Sequence, residues 1–341
     1  MTTIPWLIRP ARLEDIDSLV SLARALGPGM TTLPADADTI AHKVASSIAT
    51  FGDEPCDDRQ YILVLEERAT GRVLGLSGVY PRVGEAHGFF SYKLTRLVQR
   101  SVDLKRRHEI ELLTLSNDYT GATEIGTLAV LPELRGTRAG RFLARARYML
   151  IGAFPDRFSA QVMAEMRGWQ DADGRSPFWD AIGARFFDMS FEEADHLSAV
   201  EGAGFIADLM PKQPIYTALL PDEARAAIGR AHAVSARAMT MLMHEDFRYE
   251  AHVDVFDGGP QVHAMRDRIR TIQDTRLLGL RRGSGDQPFL VSNHDLNAFR
   301  VIEVEGSADG SELSVPDDAA RVLELRPGDT LRVAPGYRRA G

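Results

Sequence analysis

Cysteine is almost absent from the sequence, since Cys56 is the only one among 341 residues. A single cysteine cannot form an internal disulfide or a cysteine-based zinc cluster. Disulfide-stapled folds and structural zinc sites are therefore excluded, and we expect no bound metal. Cys56 lies in the polar run GDEPCDDR without an accompanying histidine pattern, which disfavours a cysteine nucleophile that carries an acyl group.

Long hydrophobic runs are also missing. No stretch approaches the roughly 18 apolar residues of a membrane-spanning helix, and the start MTTIPWLIRPARLEDIDSL has no basic segment followed by an apolar one. We therefore expect a cytoplasmic protein that binds no membrane. The formal net charge of −8 disfavours non-specific binding of nucleic acid, although local basic clusters can still hold anionic ligands.

The composition, 44% hydrophobic and 26% charged, is that of a globular chain with one large domain or two. Its first half predicts mixed α/β structure. Residues 6–26 fit a strand, a turn and an amphipathic helix, and YILVLEER with GRVLGLSGVY predicts a β-hairpin. EIGTLAVLP fits a buried strand ended by Pro132, followed by a helix from about Arg138 to Ala153.

The second half of the sequence predicts mixed α/β structure that gives way to a β-rich C-terminal region. QVMAEM fits a strand, and SPFWDAIGARFF a helix capped by Ser176 with Pro177 at its first position. Two helical stretches and the strand YEAHVDVFDGG follow. DTRLLGLRRGSGDQ is interpreted as a linker, and short β-like runs fill the tail. We therefore expect two domains, residues 1–277 and a small β-rich domain, residues 278–341.

The stretch EIGTLAVLPELRGTRAGRFLARARYML combines a strand, an Arg/Gly turn and a helix. Unpaired backbone N–H groups from Gly136 to Arg141 would point outward at the helix start and attract phosphate, aided by the helix dipole. Gly136 and Gly140 would let a pyrophosphate approach the backbone. An ordinary strand-to-helix turn is the alternative. Arg138, Arg141 and Arg145 share one helical face, as phosphate contacts or as a solvated charged face.

RGTRAG resembles the acyl-CoA pyrophosphate loop of the GNAT acyltransferase superfamily, whose usual pattern is Arg-x-x-Gly-x-Gly or Ala. Arg135 and Gly140 match that pattern. Arg138 stands where the middle glycine is usual, so the loop must have a conformation there that a Cβ tolerates. The order of predicted elements also agrees with GNAT topology. The resemblance thus implies a GNAT-like α/β fold and places acyl-CoA contacts at Arg135, Gly136, Arg138 and Gly140.

Six further segments carry a longer resemblance: TTLPAD (31–36), LSNDYTG (115–121), VMAEMRG (162–168), SPFWDAIGARFFDMSFEEAD (176–195), FIADLMPKQPIY (205–216) and FRYEAHVDVFDGGP (247–260). With them the chain resembles the arginine N-succinyltransferase family over roughly residues 8 to 276. The resemblance implies transfer of the succinyl group of succinyl-CoA to the α-amine of L-arginine, in arginine catabolism that yields glutamate, without a permanently bound cofactor. It also implies oligomers, homomeric or with a related subunit, and some relatives use ornithine.

Attack of an amine on a thioester needs a neutral amine, a stabilised oxyanion and a protonated leaving thiol. The family resemblance puts an acyl-CoA contact at Leu128, for which plain core is the alternative. It puts the proton donor at a histidine in an Ile-Gly-x-x-His segment, which Ile228, Gly229 and His232 match, with Ala233 in place of the usual proline. A structural or surface histidine is the alternative for His232.

Recognition of arginine requires carboxylates for its guanidinium group. Glu124, Glu165, Asp254 and Asp257 lie in family-like segments and are candidates, with caps or structural ion pairs as the alternative. Arg167 is a candidate for the succinyl carboxylate. Two other functions stay open at this stage: a non-catalytic or partner-dependent subunit that binds acyl-CoA, and a GNAT enzyme with a different donor or amine, such as ornithine.

Overall fold

A computed structural model describes residues 4–26, 32–194, 197 and 208–337. Thr31, Asp195 and residues 205–207 of the segments quoted above lie outside the described residues. The chain divides into two compact units, and we describe each by itself. The first unit contains Met1–Pro81, Ile125–Ala160 and Met265–Gly341, and the second contains Arg82–Glu124 and Gln161–Ala264. Among the described helices, none has the length and apolar character needed to cross a membrane.

The described chain contains both strands and helices, and β2 to β6 and β11 to β14 follow one another without an intervening α-helix. The strands are β1 (Trp6–Pro10), β2 (Tyr61–Glu67), β3 (Arg72–Tyr80), β4 (Ser91–Ser101), β5 (Arg106–Ser116), β6 (Thr123–Val130), β7 (Gln161–Glu165), β8 (Ile215–Tyr216), β9 (Arg248–Asp254), β10 (Pro260–Met265), β11 (Arg276–Arg282), β12 (Gln287–Ser292), β13 (Val301–Asp309), β14 (Glu312–Val315) and β15 (Thr330–Pro335). The described α-helices are α1 (Ile16–Leu26), α2 (Ala37–Phe51), α3 (Ala139–Ala153), α4 (Pro177–Ala181), α5 (Ala184–Phe187), α6 (Asp222–Ala227), α7 (Ala236–His244), α8 (Arg270–Gln273) and α9 (Asp317–Val322).

In the first unit, strands follow the order β13, β1, β2, β3, β6. The β2–β3 hairpin is antiparallel, as predicted, and α1, α2 and α3 pack on it. α1 and α3 begin and end close to their predicted positions. α1 buries one apolar face, whereas α3 is buried on nearly all sides. α2, which was not predicted, begins at the Asp36 cap, whose carboxylate accepts the Thr39 N–H at 2.7 Å.

The C-terminal strands of the first unit close into a ring in the order β12, β15, β11, β14 and β13, because β13 pairs again with β12. A closed ring leaves no free edge. Its apolar side chains form one buried cluster, which includes Phe289, Ile302 and Leu313. The predicted β-rich character of this region is confirmed. The predicted linker DTRLLGLRRGSGDQ is wrong, since β11 lies within it and pairs with β14 and β15 on its two sides.

In the second unit, the strand order is β7, β10, β9, β4, β5, β8, and Thr123 and Glu124 of β6 pair in parallel with β7. The long β4–β5 hairpin was not predicted. The predicted helix over SPFWDAIGARFF is divided into α4 and α5 at Ile182, whose ψ of −78° with φ of −120° departs from helical geometry. Its cap is confirmed, because the Ser176 hydroxyl accepts the N–H of Trp179 at 3.2 Å.

Candidate active site

The Arg/Gly turn joins β6 to α3 in the first unit through a single 3₁₀ turn, Pro132–Leu134. Gly136 has a φ of +85°, a conformation that favours glycine. Arg138, at the position where the GNAT pattern has glycine, has φ −75° and ψ −10°, which any L-residue adopts. The departure from the pattern therefore costs no backbone strain, and the expectation that a Cβ is tolerated here holds.

The start of α3 presents unpaired backbone donors. Among the described residues, the N–H groups of Gly136, Arg138, Gly140 and Arg141 have no hydrogen-bond acceptor. A Cβ built on Gly140 would meet nothing within 4 Å, so the backbone is open to an approaching group. The turn is exposed from Arg135 to Arg138. Such an arrangement is suited to a phosphate or pyrophosphate.

Arginines of this turn and of α3 contact residues from the C-terminal part of the first unit. Arg138 pairs with the half-buried Glu303 at 3.4 Å, and burial raises the pKa of Glu303 against the lowering influence of Arg138 and its neighbours. The guanidinium carbons of Arg141 and Arg145 lie 4.5 and 5.0 Å from the ring centroid of Tyr337. Arg145 is buried and donates to Thr271 at 2.9 Å, so the solvated-face alternative is wrong for this residue.

Leu128 lies on β6 and is half-buried, whereas Ala129 beside it is buried. Its other neighbour, Thr127, has a φ of +51°. A left-handed conformation is strained for a β-branched residue and points to a functional constraint. The hydroxyl groups of Thr127 and Tyr80 are 2.8 Å apart, and this hydrogen bond helps to hold the strained residue.

His232 lies in the second unit, on a segment that pairs with the residues just after β7. The His232 N–H donates to the carbonyl of Arg167 at 2.8 Å, and Ala231 forms an isolated bridge with Gly168. The ring nitrogen Nδ1 accepts the Val234 N–H at 3.2 Å. Neutral His232 therefore carries its proton on Nε2. Burial, followed by the charge of Arg167, lowers the pKa of His232, so near neutral pH the ring is a neutral N–H donor.

The candidate carboxylates lie in the same unit, where Asp257 is buried and Asp254 is half-buried. Asp257 accepts the Gly168 N–H at 2.6 Å and the Gly259 N–H at 2.8 Å, and Asp254 accepts those of Phe256 and Asp257 at 2.8 and 2.9 Å. These contacts are those of turn-forming residues, the structural alternative for both. The Arg167 guanidinium donates to Gln170.

Glu165 is half-buried and accepts a hydrogen bond from Gln261 Nε2 at 2.6 Å. Burial, and then the charge of Glu124, raise the pKa of Glu165 to about 8. Of the sequence-predicted residues, the structure thus brings His232, Arg167 and the carboxylates together in the second unit. It brings the pyrophosphate turn and Leu128 together in the first.

Known proteins resemble this chain along nearly its whole length. The sequence model of the family described as arginine N-succinyltransferase beta subunit matches residues 6–271, and that of its C-terminal domain matches residues 278–335. The chain belongs to this family. The arginine N-succinyltransferase of Salmonella schwarzengrund is 40% identical over 332 residues, 96% of both chains. The arginine N-succinyltransferase subunit beta of Pseudomonas aeruginosa is 38% identical over 333 residues, 96% of this chain and 98% of the other.

A solved structure shows the same fold. The arginine/ornithine succinyltransferase subunit AI of Pseudomonas aeruginosa superposes with a TM-score of 0.87 at 30% identity, covering 98% of this chain and 100% of the other. The family expected from the sequence segments and the mixed α/β fold class with a strand-rich C-terminal region are both confirmed. The boundary at 277/278 between two domains stays a prediction.

In this arginine N-succinyltransferase family member, sequence reasoning missed a hydrogen-bond chain in the second unit. The Tyr119 hydroxyl lies 2.9 Å from Nδ1 of His263 and 3.3 Å from Nδ1 of His252, whose Nε2 is 3.0 Å from Asp118. Because a carboxylate only accepts, neutral His252 donates through Nε2 and accepts the Tyr119 O–H, and His263 donates Nδ1–H to Tyr119. The LSNDYTG segment contains Asp118 and Tyr119, but only the strand pairing shows which histidines they meet.

The raised pKa of Glu165 predicts a pH-dependent stability. Its ordinary value is 4.5 and its folded value about 8, so between these pH values the folded protein holds a proton that the unfolded chain has released. The free energy of unfolding should fall as the pH rises from 5 to 8. In Glu165→Gln, which keeps an acceptor for Gln261, this decline should be shallower, as measured by urea denaturation across that range.

The pKa of Asp254 is raised by burial and by the charges of Asp257 and Glu165, so Asp254 contributes a decline of the same sign that also weakens in Glu165→Gln. The difference between the two slopes therefore reports the ionisation of Glu165 together with its effect on Asp254. Parallel slopes for the parent chain and Glu165→Gln would show that Glu165 is ionised in the folded protein and would contradict the prediction.

Proposed function

We propose that this chain is an arginine N-succinyltransferase, an acyltransferase that transfers the succinyl group of succinyl-CoA to the α-amine of L-arginine. One observation carries the proposal: proteins of that name are 38–40% identical to the chain over 96% of its length. The open backbone donors at the start of α3 support a CoA thioester as the acyl donor. Succinyl-CoA is a cosubstrate here, and the proposal includes no permanently bound cofactor.

In the proposed reaction, the neutral α-amine attacks the thioester carbon, a C–N bond forms, and the C–S bond breaks. The products are N-succinylarginine and CoA, because the attacking nitrogen loses one proton and the departing sulfur gains one, with the transfer running through solvent. The Nε2–H of His232 donates a hydrogen bond to the leaving sulfur and lowers the barrier to its departure. Arg135, Gly136, Arg138 and Gly140 hold the CoA pyrophosphate, and the strand at Leu128 contacts the acyl-CoA.

The proposal extends to location and assembly. Both substrates are intracellular metabolites, which supports the cytoplasm as the site of action. Residues 1–277 would contain the catalytic machinery and residues 278–341 a separate β-rich domain. Because two relatives carry subunit designations in their names, we propose an oligomer, either of identical chains or with a related subunit.

Those subunit designations also favour a second candidate function, a partner-dependent subunit that binds acyl-CoA. Arg138 in place of the usual glycine would favour this second function if it disturbed the phosphate-binding turn. The turn accommodates the side chain without strain, so this reason for the second function is removed. Ornithine as the preferred amine is a further alternative, because the P. aeruginosa structure is that of an arginine/ornithine succinyltransferase subunit.

Thiol release from succinyl-CoA by the purified chain alone tests these functions. The parent reaction is followed with L-arginine, L-ornithine or L-lysine, and the product is identified by mass spectrometry. We expect release that depends on L-arginine and a product that is N-succinylarginine. Faster thiol release with L-ornithine than with L-arginine would show that ornithine is the preferred amine. No release with any amine, alongside measurable binding of succinyl-CoA, would instead favour the partner-dependent subunit.

A further inference from the structure

A narrow, partly enclosed pocket lies within the first unit, between α1, α2 and the β2–β3 hairpin, and it reaches Thr127 on β6. Half of its twelve lining residues are aliphatic. The aliphatic lining residues are Leu19, Leu33, Ile40, Val44, Ile62 and Leu76. A pocket of this shape and lining is suited to a short hydrocarbon chain rather than to a large polar group.

The polar part of the lining is small and cationic. Lys43 is the one charged residue among those that line the pocket, and all of them belong to the described part of the chain. Gln60 is only 5% exposed, and its side-chain oxygen is buried without a hydrogen-bond partner. Buried amide groups normally have partners, so an unpaired one at a pocket wall indicates a missing ligand.

The chemistry of these groups selects an anion. The lining contains no carboxylate, so the pocket offers nothing to pair with a guanidinium or ammonium group. A Lys43 ammonium group pairs with a carboxylate. The Gln60 amide can rotate by half a turn and present its NH₂ group to the same oxygen atoms. The aliphatic wall and the Lys43 ammonium group together suit a ligand with two methylene groups and a terminal carboxylate.

The pocket is also positioned for the acyl group. Thr127, in its wall, immediately precedes Leu128, where the acyl-CoA contact is proposed. The strained backbone of Thr127 and its hydrogen bond to Tyr80, another lining residue, fix this part of the wall. An acyl group whose thioester lies at Leu128 therefore has this pocket within the first unit as its neighbour.

We propose that this pocket binds the succinyl group, with the terminal carboxylate held by Lys43 and Gln60, and that it selects succinyl-CoA over uncharged acyl-CoA donors. This inference rests on the proposed function. The α-carboxylate of L-arginine is the competing anion, but it lies beside the polar α-amine, which an aliphatic wall does not accommodate.

Lys43→Met tests the proposal, because methionine keeps the length of the side chain and favours a helix, as α2 requires. The donors are succinyl-CoA and butyryl-CoA, which has a methyl group in place of the carboxylate. We expect kcat/KM for succinyl-CoA to fall about 10- to 100-fold, the range for losing a charge-assisted hydrogen bond, while that for butyryl-CoA stays the same or rises. Gln60→Leu should also lower kcat/KM for succinyl-CoA relative to that for butyryl-CoA, but by a smaller factor. Lys105→Met, at an exposed lysine, is the matched control and should change neither donor.

Three outcomes would overturn the proposal. Equal losses with both donors would give Lys43 a structural role. A higher KM for L-arginine with both donors would assign the pocket to the amine's carboxylate. If kcat/KM for succinyl-CoA, but not for butyryl-CoA, fell in Arg167→Met and stayed unchanged in Lys43→Met, the site for the succinyl carboxylate would be at Arg167.

Binding calorimetry separates this inference from the proposed function. If the parent chain binds succinyl-CoA more tightly than butyryl-CoA, and Lys43→Met removes that preference, the pocket is supported even when no amine is succinylated. A parent chain that succinylates arginine but does not discriminate between the donors, in either binding or turnover, would refute the pocket and leave the proposed function intact.

Discussion

The His232→Ala variant should turn over succinyl-CoA with L-arginine about 10²- to 10⁴-fold more slowly than the parent chain, the range for loss of a positioned acid–base group. The affinity for succinyl-CoA should stay within about twofold, since His232 supplies a hydrogen bond to a sulfur that carries charge only as the C–S bond breaks. Stopped-flow thiol release gives the rate, and calorimetry with succinyl-CoA gives the affinity.

The tautomer of His232 sharpens this prediction. Because Nδ1 accepts the Val234 N–H, the ring acts through Nε2–H, as a hydrogen-bond donor. An isosteric amide keeps such a donor, so His232→Gln should retain more turnover than His232→Ala. To accept a proton from the amine at Nε2, neutral His232 would have to carry its own proton on Nδ1. That N–H would face the Val234 N–H, so two donors would oppose each other. A general-base role would therefore leave the glutamine and alanine variants equally slow.

His108 provides the matched control, since it is exposed on β5 and belongs to the same unit. His108→Ala should keep full turnover. If His232→Ala also kept full turnover while binding succinyl-CoA normally, His232 would be a structural cap of the 3₁₀ turn Ala233–Ser235. An increase in activity on adding a related subunit would then favour the partner-dependent function.

The parts of the fold that the sequence predicted are those that local spacing determines. The β2–β3 hairpin and helices α1 and α3 follow from apolar periodicity and turn residues over fewer than about 20 residues. The closure of the C-terminal ring depends on pairing between distant strands, which periodicity does not encode. The segment DTRLLGLRRGSGDQ looked like a linker because its glycines and charges are those of loops, yet β11 is held by partners on both sides.

The candidate site shows the same division. Backbone donors at the start of α3 were predictable, because a glycine-rich turn before a helix exposes them in any fold. The burial of Arg145 was not, since its contact with Thr271 spans 126 positions. His232 came from the family resemblance alone. The pocket at Lys43 was also missed, because its lining comes from two helices and three strands that meet only in the folded unit.

The second large effect is expected at Gly168, where space rather than backbone conformation requires glycine. Its φ lies outside the left-handed region, but a Cβ there would lie 2.4 Å from the backbone oxygen of Asp257 and 2.5 Å from its carboxylate. Neither partner is the end of a flexible side chain free to move, since Asp257 is held by the N–H groups of Gly168 and Gly259. Gly168→Ala should therefore lower the free energy of unfolding by about 3 kcal/mol, the upper part of the range for overpacking.

Activity should fall along with stability, because the strand end at Gly168 also positions the histidine. Ala231 bridges to Gly168 and the His232 N–H donates to Arg167, so a shift of this segment moves the imidazole. Urea denaturation measures the loss of stability. The kcat, measured at a temperature where the variant is folded, gives the loss of activity separately. Gly279→Ala is the control, since its Cβ would meet no atom closer than 3.7 Å, and it should change neither. A variant that loses stability but keeps its kcat would contradict the prediction that the segment at Gly168 positions His232.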